Sequence, residues 1–192
     1  MRVFQHLRAL TPVIMIFVIT GAHAETPEWQ KITIFQPHDQ AITGAFADAD
    51  TTWVDTWVLS DEDRTTLANK LGETITETSI EFHRGRRGSQ DLGWVLVLDE
   101  IGLHAPITHL IKVGPDRRVS EVQVLVFRET RGDGIKRSRF LRQFRGKSLK
   151  NRMGIGRGID GVTGATLSSQ AIVRGVRKAL ELIEARYDEA PK

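Results

Sequence analysis

The chain has 192 residues, with 27 Lys and Arg against 24 Asp and Glu, a formal net charge of +3, 40% hydrophobic residues and no cysteine. The lack of cysteine excludes a disulfide framework, a lipoprotein attachment thiol, iron–sulfur ligation and a Cys-x-x-Cys-His haem site. A chain of this length and apolar content can form one domain that stands on its core alone.

At the N-terminus Arg2 and Arg8 flank the start of an apolar run, Leu10 to Ile19, which ends in Gly21-Ala22-His23-Ala24. A run of roughly a dozen residues is well short of the ~20 that a membrane-spanning helix needs, and Ala22-x-Ala24 supplies the small residues a signal peptidase requires. Residues 1–24 therefore read as a secretory signal peptide cleaved after Ala24, which places the mature protein in the periplasm or another extracytoplasmic space. Retention as an uncleaved anchor is the alternative, and Pro12 and Gly21 weigh against it by shortening any continuous helix. Cleavage leaves 168 residues with 25 basic and 24 acidic side chains, a net charge of +1.

That charge is unevenly spread. Glu25 to Asp63 holds nine acidic residues and only Lys31, whereas Arg117 to Arg157 holds thirteen basic residues against Glu121, Glu129 and Asp133. Interleaved aromatics in Arg137 to Arg145 raise nucleic-acid binding as one reading, which export argues against. Phe140, Leu141 and Phe144 are instead expected to point inward at i, i+1 and i+4, leaving the arginines on a solvated face or facing an anionic cofactor or acidic partner surface.

Lys31 to Phe35 and Thr52 to Leu59 read as short strands, and Arg64 to Leu71 as a short helix closed by Gly72. Arg84 to Ser89, polar and glycine-rich, reads as an internal loop separating an N-terminal portion, residues 25–90, from the remainder at 91–187. Trp94 to Leu98 and Ile107 to Val113 are apolar runs of strand length, with Trp94 a core residue. Gly114 to Arg118 is turn chemistry, and Val119 to Phe127 then alternates Val122, Val124 and Val126 on one face with Leu125 and Phe127 on the other, as in a central sheet strand. Ile172, Val176, Leu180 and Ile183 form the apolar stripe of a C-terminal amphipathic helix. The fold class is α+β: an antiparallel sheet packed with helices.

Gly154-Ile-Gly156-Arg-Gly158-Ile-Asp160-Gly161-Val162-Thr163-Gly164-Ala165-Thr166-Leu167-Ser168-Ser169 feeds the start of that helix. Free N–H groups in a first helical turn and the positive end of the helix dipole suit a phosphate, and glycine admits close approach. A purely structural cap built from the hydroxyls of Thr163 to Ser169 is the other reading. Gly156 to Gly161 formally fits a dinucleotide fingerprint, but only a helix and a tail follow, and the Gly-Lys-Ser/Thr end of a P-loop is absent.

Asp160-Gly-Val-Thr163-Gly164-Ala165-Thr166 resembles the flavinylation motif Asp-x-x-Ser/Thr-Gly-Ala-Thr of FMN-binding domains, such as the FMN-carrying subunits of the sodium-pumping NADH:quinone reductase and of related ferredoxin-linked complexes. The resemblance extends from about Gly93 to Ile183 and includes Pro106-Ile107-Thr108 and Glu129-Thr130-x-Gly132-x-Gly134. It departs from many relatives in carrying Arg131 and Asp133 where neutral residues are usual. The resemblance implies FMN bonded covalently by a phosphoester to Thr166, with Ala165, Gly164, Thr163, Asp160, Ser168, Glu129 and Thr130 around it. It further implies a flavin transferase that uses FAD as donor, a redox partner protein in the periplasm or at the membrane, and work as an electron carrier rather than as a stand-alone catalyst. No residue stands out as catalytic or metal-binding; His104 and His109 read as structural or surface groups, with His104 beside the flavin as the alternative. The competing function is a non-redox module that binds a phosphate-bearing ligand reversibly and docks a partner, and a flavin reductase would need a substrate pocket that the sequence does not reveal.

Overall fold

The computed structural model describes residues 32–188, so the expected signal peptide and Lys31 lie outside the described residues. The element order is β1 (Thr33–Ile34), α1 (His38–Ala45), β2 (Thr51–Val58), α2 (Asp61–Leu71), β3 (Ser79–Arg87), β4 (Gln90–Ile101), β5 (Pro106–Val113) and β6 (Val119–Phe127). A 3-10 turn (Asp133–Lys136), α3 (Ser138–Leu141), a second 3-10 turn (Arg142–Phe144), the two-residue strands β7 (Gly154–Ile155) and β8 (Gly158–Ile159), and α4 (Thr166–Tyr187) complete the chain.

Strands β1 to β6 form one sheet in the order β1-β6-β5-β4-β3-β2, with every neighbouring pair antiparallel. Successive side chains of the middle strands go to opposite layers, as the pleat requires. Leu96 and Ile111 pack with Ile172, Val176, Leu180 and Ile183 of α4, whereas their neighbours Val95 and Leu110 pack with Ala41, Ala45 and Phe46 around α1. The α4 stripe is thus buried as its periodicity foretold, and each such side chain contributes about 2 kcal/mol by leaving water. One residue lets α4 lie so close to the sheet: a Cβ at Gly175 would overlap the imidazole of His109 on β5.

Helix α2 begins at Asp61, earlier than the sequence pattern indicates. Ser60 accepts a hydrogen bond from the Asp63 N–H at 3.1 Å, and the Ser60 N–H donates to the Asp63 carboxylate at 2.9 Å. This capping box fixes the start, and Gly72 ends the helix at φ 71°.

The Arg84–Ser89 loop is corrected by the structure. Strand β3 runs through to Arg87, leaving Gly88 and Ser89 as the turn into β4. Its polar sequence is accommodated because the Arg84 guanidinium lies 4.6 Å from the Trp94 ring and 5.2 Å from Tyr187 while it is paired with Asp91. Gly85, lacking a Cβ, gives room to the Phe46 ring on the other face. The sheet therefore continues unbroken across residue 90.

Strand β6 also differs from its expected pattern. It lies next to the short β1, second from the edge, rather than at the centre. Val126 pairs with Thr108 and Val124 with His109, so Leu125 is an extra residue. The bulge shifts the alternation: Val126 joins Leu125 in the α1 layer, and Phe127 joins Val122 and Val124 in the α4 layer.

Candidate functional site

The start of α4 is built by three converging loops. Val162 to Ala165 forms a turn closed by the Ala165 N–H donating to the Val162 carbonyl at 2.9 Å. Gly164 takes φ 76°, in the left-handed region that glycine adopts without strain. Ala165 is the N-cap, and no side-chain hydrogen bond caps the helix there. The first-turn N–H groups are thus left without a side-chain cap, and the helix dipole adds partial positive charge there.

The hydroxyls of the motif separate by burial. Thr163 and Thr166 are exposed, whereas Ser168 and Ser169 are buried, and Ser169 Oγ accepts the Val162 N–H at 3.2 Å. Thr166, the first helical residue, therefore presents its hydroxyl beside the uncapped turn. Asp160 is exposed, and its backbone is fixed from both sides by Gln143: the Asp160 N–H donates to Oε1 at 2.8 Å, and Nε2 donates to the Asp160 carbonyl at 3.0 Å. Gln143 has no signature in the sequence, because the two residues lie seventeen positions apart and no spacing rule connects them.

The Glu129–Gly134 loop lies against the same motif. A Cβ at Gly132, which has φ 96°, would come within 2.5 Å of Ser168 Oγ, and one at Gly134 within 2.9 Å of Val162 Cγ1. Glu129 is half-buried, and its Oε1 accepts N–H bonds from Leu103, His104 and Ala105 at 2.6, 2.7 and 3.0 Å. The carboxylate that the family resemblance implies beside a cofactor is engaged in holding the turn between β4 and β5. Thr130 and His104 are exposed on this rim. An open cleft of about 430 Å³ borders the motif on its other side, with Gly134, Arg137, Arg139, Phe140, Gln143 and Asp160 among its walls.

His109 is not at this site. It is fully buried beneath α4, Nδ1 lies 3.1 Å from the Ile107 carbonyl, and Nε2 has no hydrogen-bond partner. Burial depresses its pKa from 6.5 to about 4, so the ring is neutral. Trp94 is buried in the core, as expected. Among the described residues no group of three or more His, Cys, Asp or Glu side chains is arranged to hold a metal.

Residues 102–181, which run from the β4–β5 turn through the glycine loop and the Gly-Ala-Thr start into α4, match the family model of the FMN-binding domain. It is similar to a component of a proton-translocating ferredoxin:NAD(+) oxidoreductase complex from Clostridium ljungdahlii, 27% identical over 111 residues, covering 54% of this chain and 60% of that protein. It is also similar to a component of an ion-translocating oxidoreductase complex from Stutzerimonas stutzeri, 33% identical over 122 residues, covering 58% of this chain and 53% of the relative. The chain thus spans between half and two thirds of the length of these curated relatives. The fold matches the crystal structure of Shewanella oneidensis NqrC with a TM-score of 0.50 at 17% identity, over 74% of this chain and 87% of the other.

Proposed function

We propose that this protein is an exported electron carrier whose FMN is bonded through its phosphate to Thr166. The observation that carries the reading is the exposed Thr166 hydroxyl at an uncapped helix start, inside a motif of the FMN-binding family. A phosphate held there meets free N–H donors and the helix dipole, so the residues present fit the group. Ala165 and Gly164 let the backbone approach, Thr163, Asp160 and Thr130 supply polar groups at the rim, and buried Ser168 and Glu129 hold the flanking loops in place. The flavin, once attached, supplies one- or two-electron chemistry, while the chain supplies orientation and electrostatics.

The motif from Asp160 to Thr166 contains no histidine to activate the Thr166 hydroxyl, which supports attachment by a separate flavin transferase using FAD as donor. The relatives are components of ion-translocating oxidoreductase complexes, which supports a redox partner in the periplasm or at the membrane. Tethering suits an extracytoplasmic protein, because a dilute free cofactor would dissociate by mass action. Among the described residues no helix is long and apolar enough to cross a membrane. The flavin unit is assigned to residues 91–187, with β2 and β3 of the preceding portion extending its sheet.

Intact-mass spectrometry tests this reading. Protein exported alongside a flavin transferase gains the mass of FMN less one water and lacks residues 1–24, and Thr166→Val abolishes the gain without loss of fold. An unmodified mass, or modification transferred to exposed Thr163, overturns the assignment.

A further inference from the structure

The segment from Arg131 to Arg157 carries ten basic residues and one acidic residue, Asp133. Its centre is the short helical stretch Ser138–Phe144, where Phe140 and Phe144 are buried and in edge contact at 5.6 Å. Burial of those rings turns Arg137, Arg139, Arg142 and Arg145 outward. None of the four forms an ion pair among the described residues, although Lys136 beside them is paired with Asp133. The four carry charge of one sign on a short stretch of chain, and Asp160 and Glu121, which border the clefts beside them, come no closer than ion-pair distance to any of them. One phosphodiester at Thr166 would bring a single negative charge, too little to offset the segment.

The ridge is fixed to the attachment motif. Gln143, between Arg142 and Phe144, makes both hydrogen bonds to the Asp160 backbone, and Arg137 and Arg139 wall the cleft that Asp160 to Thr163 closes. Arg142 and Arg145 face a second open groove, of about 480 Å³, lined also by Lys112 and Lys136 against the single carboxylate of Glu121. A body seated on these guanidiniums therefore lies beside the start of α4.

The chemistry of the ridge selects among occupants. Guanidinium forks match carboxylates in two-point geometry, and a field of one sign steers an oppositely charged protein to its docking site. An anionic membrane is disfavoured because Phe140 and Phe144 are buried and Leu141 is half-buried, leaving no broad apolar face to insert. Nucleic acid is disfavoured because Phe140 and Phe144 cannot stack on bases. We propose that the Arg137, Arg139, Arg142 and Arg145 ridge is the docking surface for a redox protein with a carboxylate-rich face, bringing that partner alongside the Thr166 helix start. The redox character of the partner rests on the function proposed above; the charge character does not.

The test uses an acidic plant-type [2Fe–2S] ferredoxin as probe, with binding followed by amide chemical shifts of the mature protein. Expected are saturable shifts centred on residues 137–145 and 160–163 at 20 mM salt, with Kd weakening about tenfold or more at 300 mM, where the Debye length has fallen below ~8 Å. Reversal of three charges together, R137E, R139E and R142E, weakens Kd to the same degree at low salt, whereas R86E with R87E on the β3–β4 hairpin changes it less than about twofold. Salt-insensitive binding by the unaltered protein, or equal loss in the hairpin control, overturns the proposal. So does stronger ridge-dependent binding to vesicles with anionic phosphatidylglycerol, or ridge-dependent self-association in sedimentation velocity. Thr166→Val is expected to bind the ferredoxin as the unaltered protein does, so a failed flavin assignment and a failed docking surface give different results.

Discussion

At the scale of single residues, His109 shows how packing sets a protonation state. The ring lies under Gly175, with Nε2 unpartnered, and burial holds its pKa near 4 against an ordinary 6.5. The bond with the Ile107 carbonyl and the Asp99 charge oppose that depression without cancelling it, and Lys178 and Arg174 add to it. A group with a depressed folded-state pKa contributes stability above its unfolded value of about 6.5 and loses it as pH falls toward 4. The difference amounts to about 3 kcal/mol over that window. Urea unfolding at steps between pH 7 and pH 4 is expected to show a steeper loss for the unaltered protein than for His109→Leu; parallel slopes would exclude the assignment. The sequence offered His109 only as one of two histidines flanking a strand, because burial under a helix far along the chain leaves no local mark.

At the scale of elements, the Glu129–Gly134 loop and the start of α4 act as one unit. Gly132 combines φ 96° with a would-be Cβ contact of 2.5 Å to buried Ser168 Oγ, so any side chain there incurs backbone strain and pushes the loop away from the helix. Gly132→Ala is expected to destabilise the protein by about 2 kcal/mol and to lower the fraction carrying flavin, measured by thermal unfolding and by intact mass. Normal stability with full modification would show that the contact is dispensable. Here the sequence was informative about identity and silent about contact. The glycine spacing marked the loop through its resemblance to relatives, whereas its docking on Ser168 depends on a chain path that local patterns do not encode.

At the scale of the molecule, an ionic cluster around buried Lys178 and Glu100 ties early and late segments of the chain together. Lys178 of α4 reaches Glu73 at 3.1 Å and Glu77 at 2.8 Å on the α2–β3 connection, with Glu100 of β4 at 3.8 Å. Burial works against the Lys178 charge, but the bonds from Glu77 and Glu73 outweigh it and leave its pKa raised. Burial also raises the pKa of Glu100, helped by the nearby Glu73, while Lys178 and Arg174 pull the other way. Lys178→Met removes the cation but leaves these carboxylates confined, with an expected loss of about 3 kcal/mol that thermal or urea unfolding would detect. A loss within about 0.5 kcal/mol, the size of an ordinary surface substitution, would show that the cluster is not coupled to folding. The same cluster, with Tyr187 donating to Asp55 at 2.5 Å, explains why residues before 91 and the C-terminal helix belong to one sheet-and-helix body.

The sequence by itself determined whatever is carried by local pattern. The period of 3.6 in Ile172 to Ile183 placed α4, the branched runs placed β4, β5 and β6, and the Gly-Ala-Thr start carried the resemblance to FMN-binding domains, because helix amphipathicity, strand propensity and a motif's spacing are all encoded within a few residues. Only the tertiary structure decided that Arg84 to Arg87 is strand, since a polar, glycine-rich segment pairs there on the strength of three aromatic rings and a glycine-sized gap supplied from distant elements. It likewise decided the Leu125 bulge, the Gln143 hold on Asp160 and the burial that separates exposed Thr166 from Ser168. Each depends on which chain segments meet, and that is fixed by the cooperative packing of the whole sheet rather than by the residues on either side.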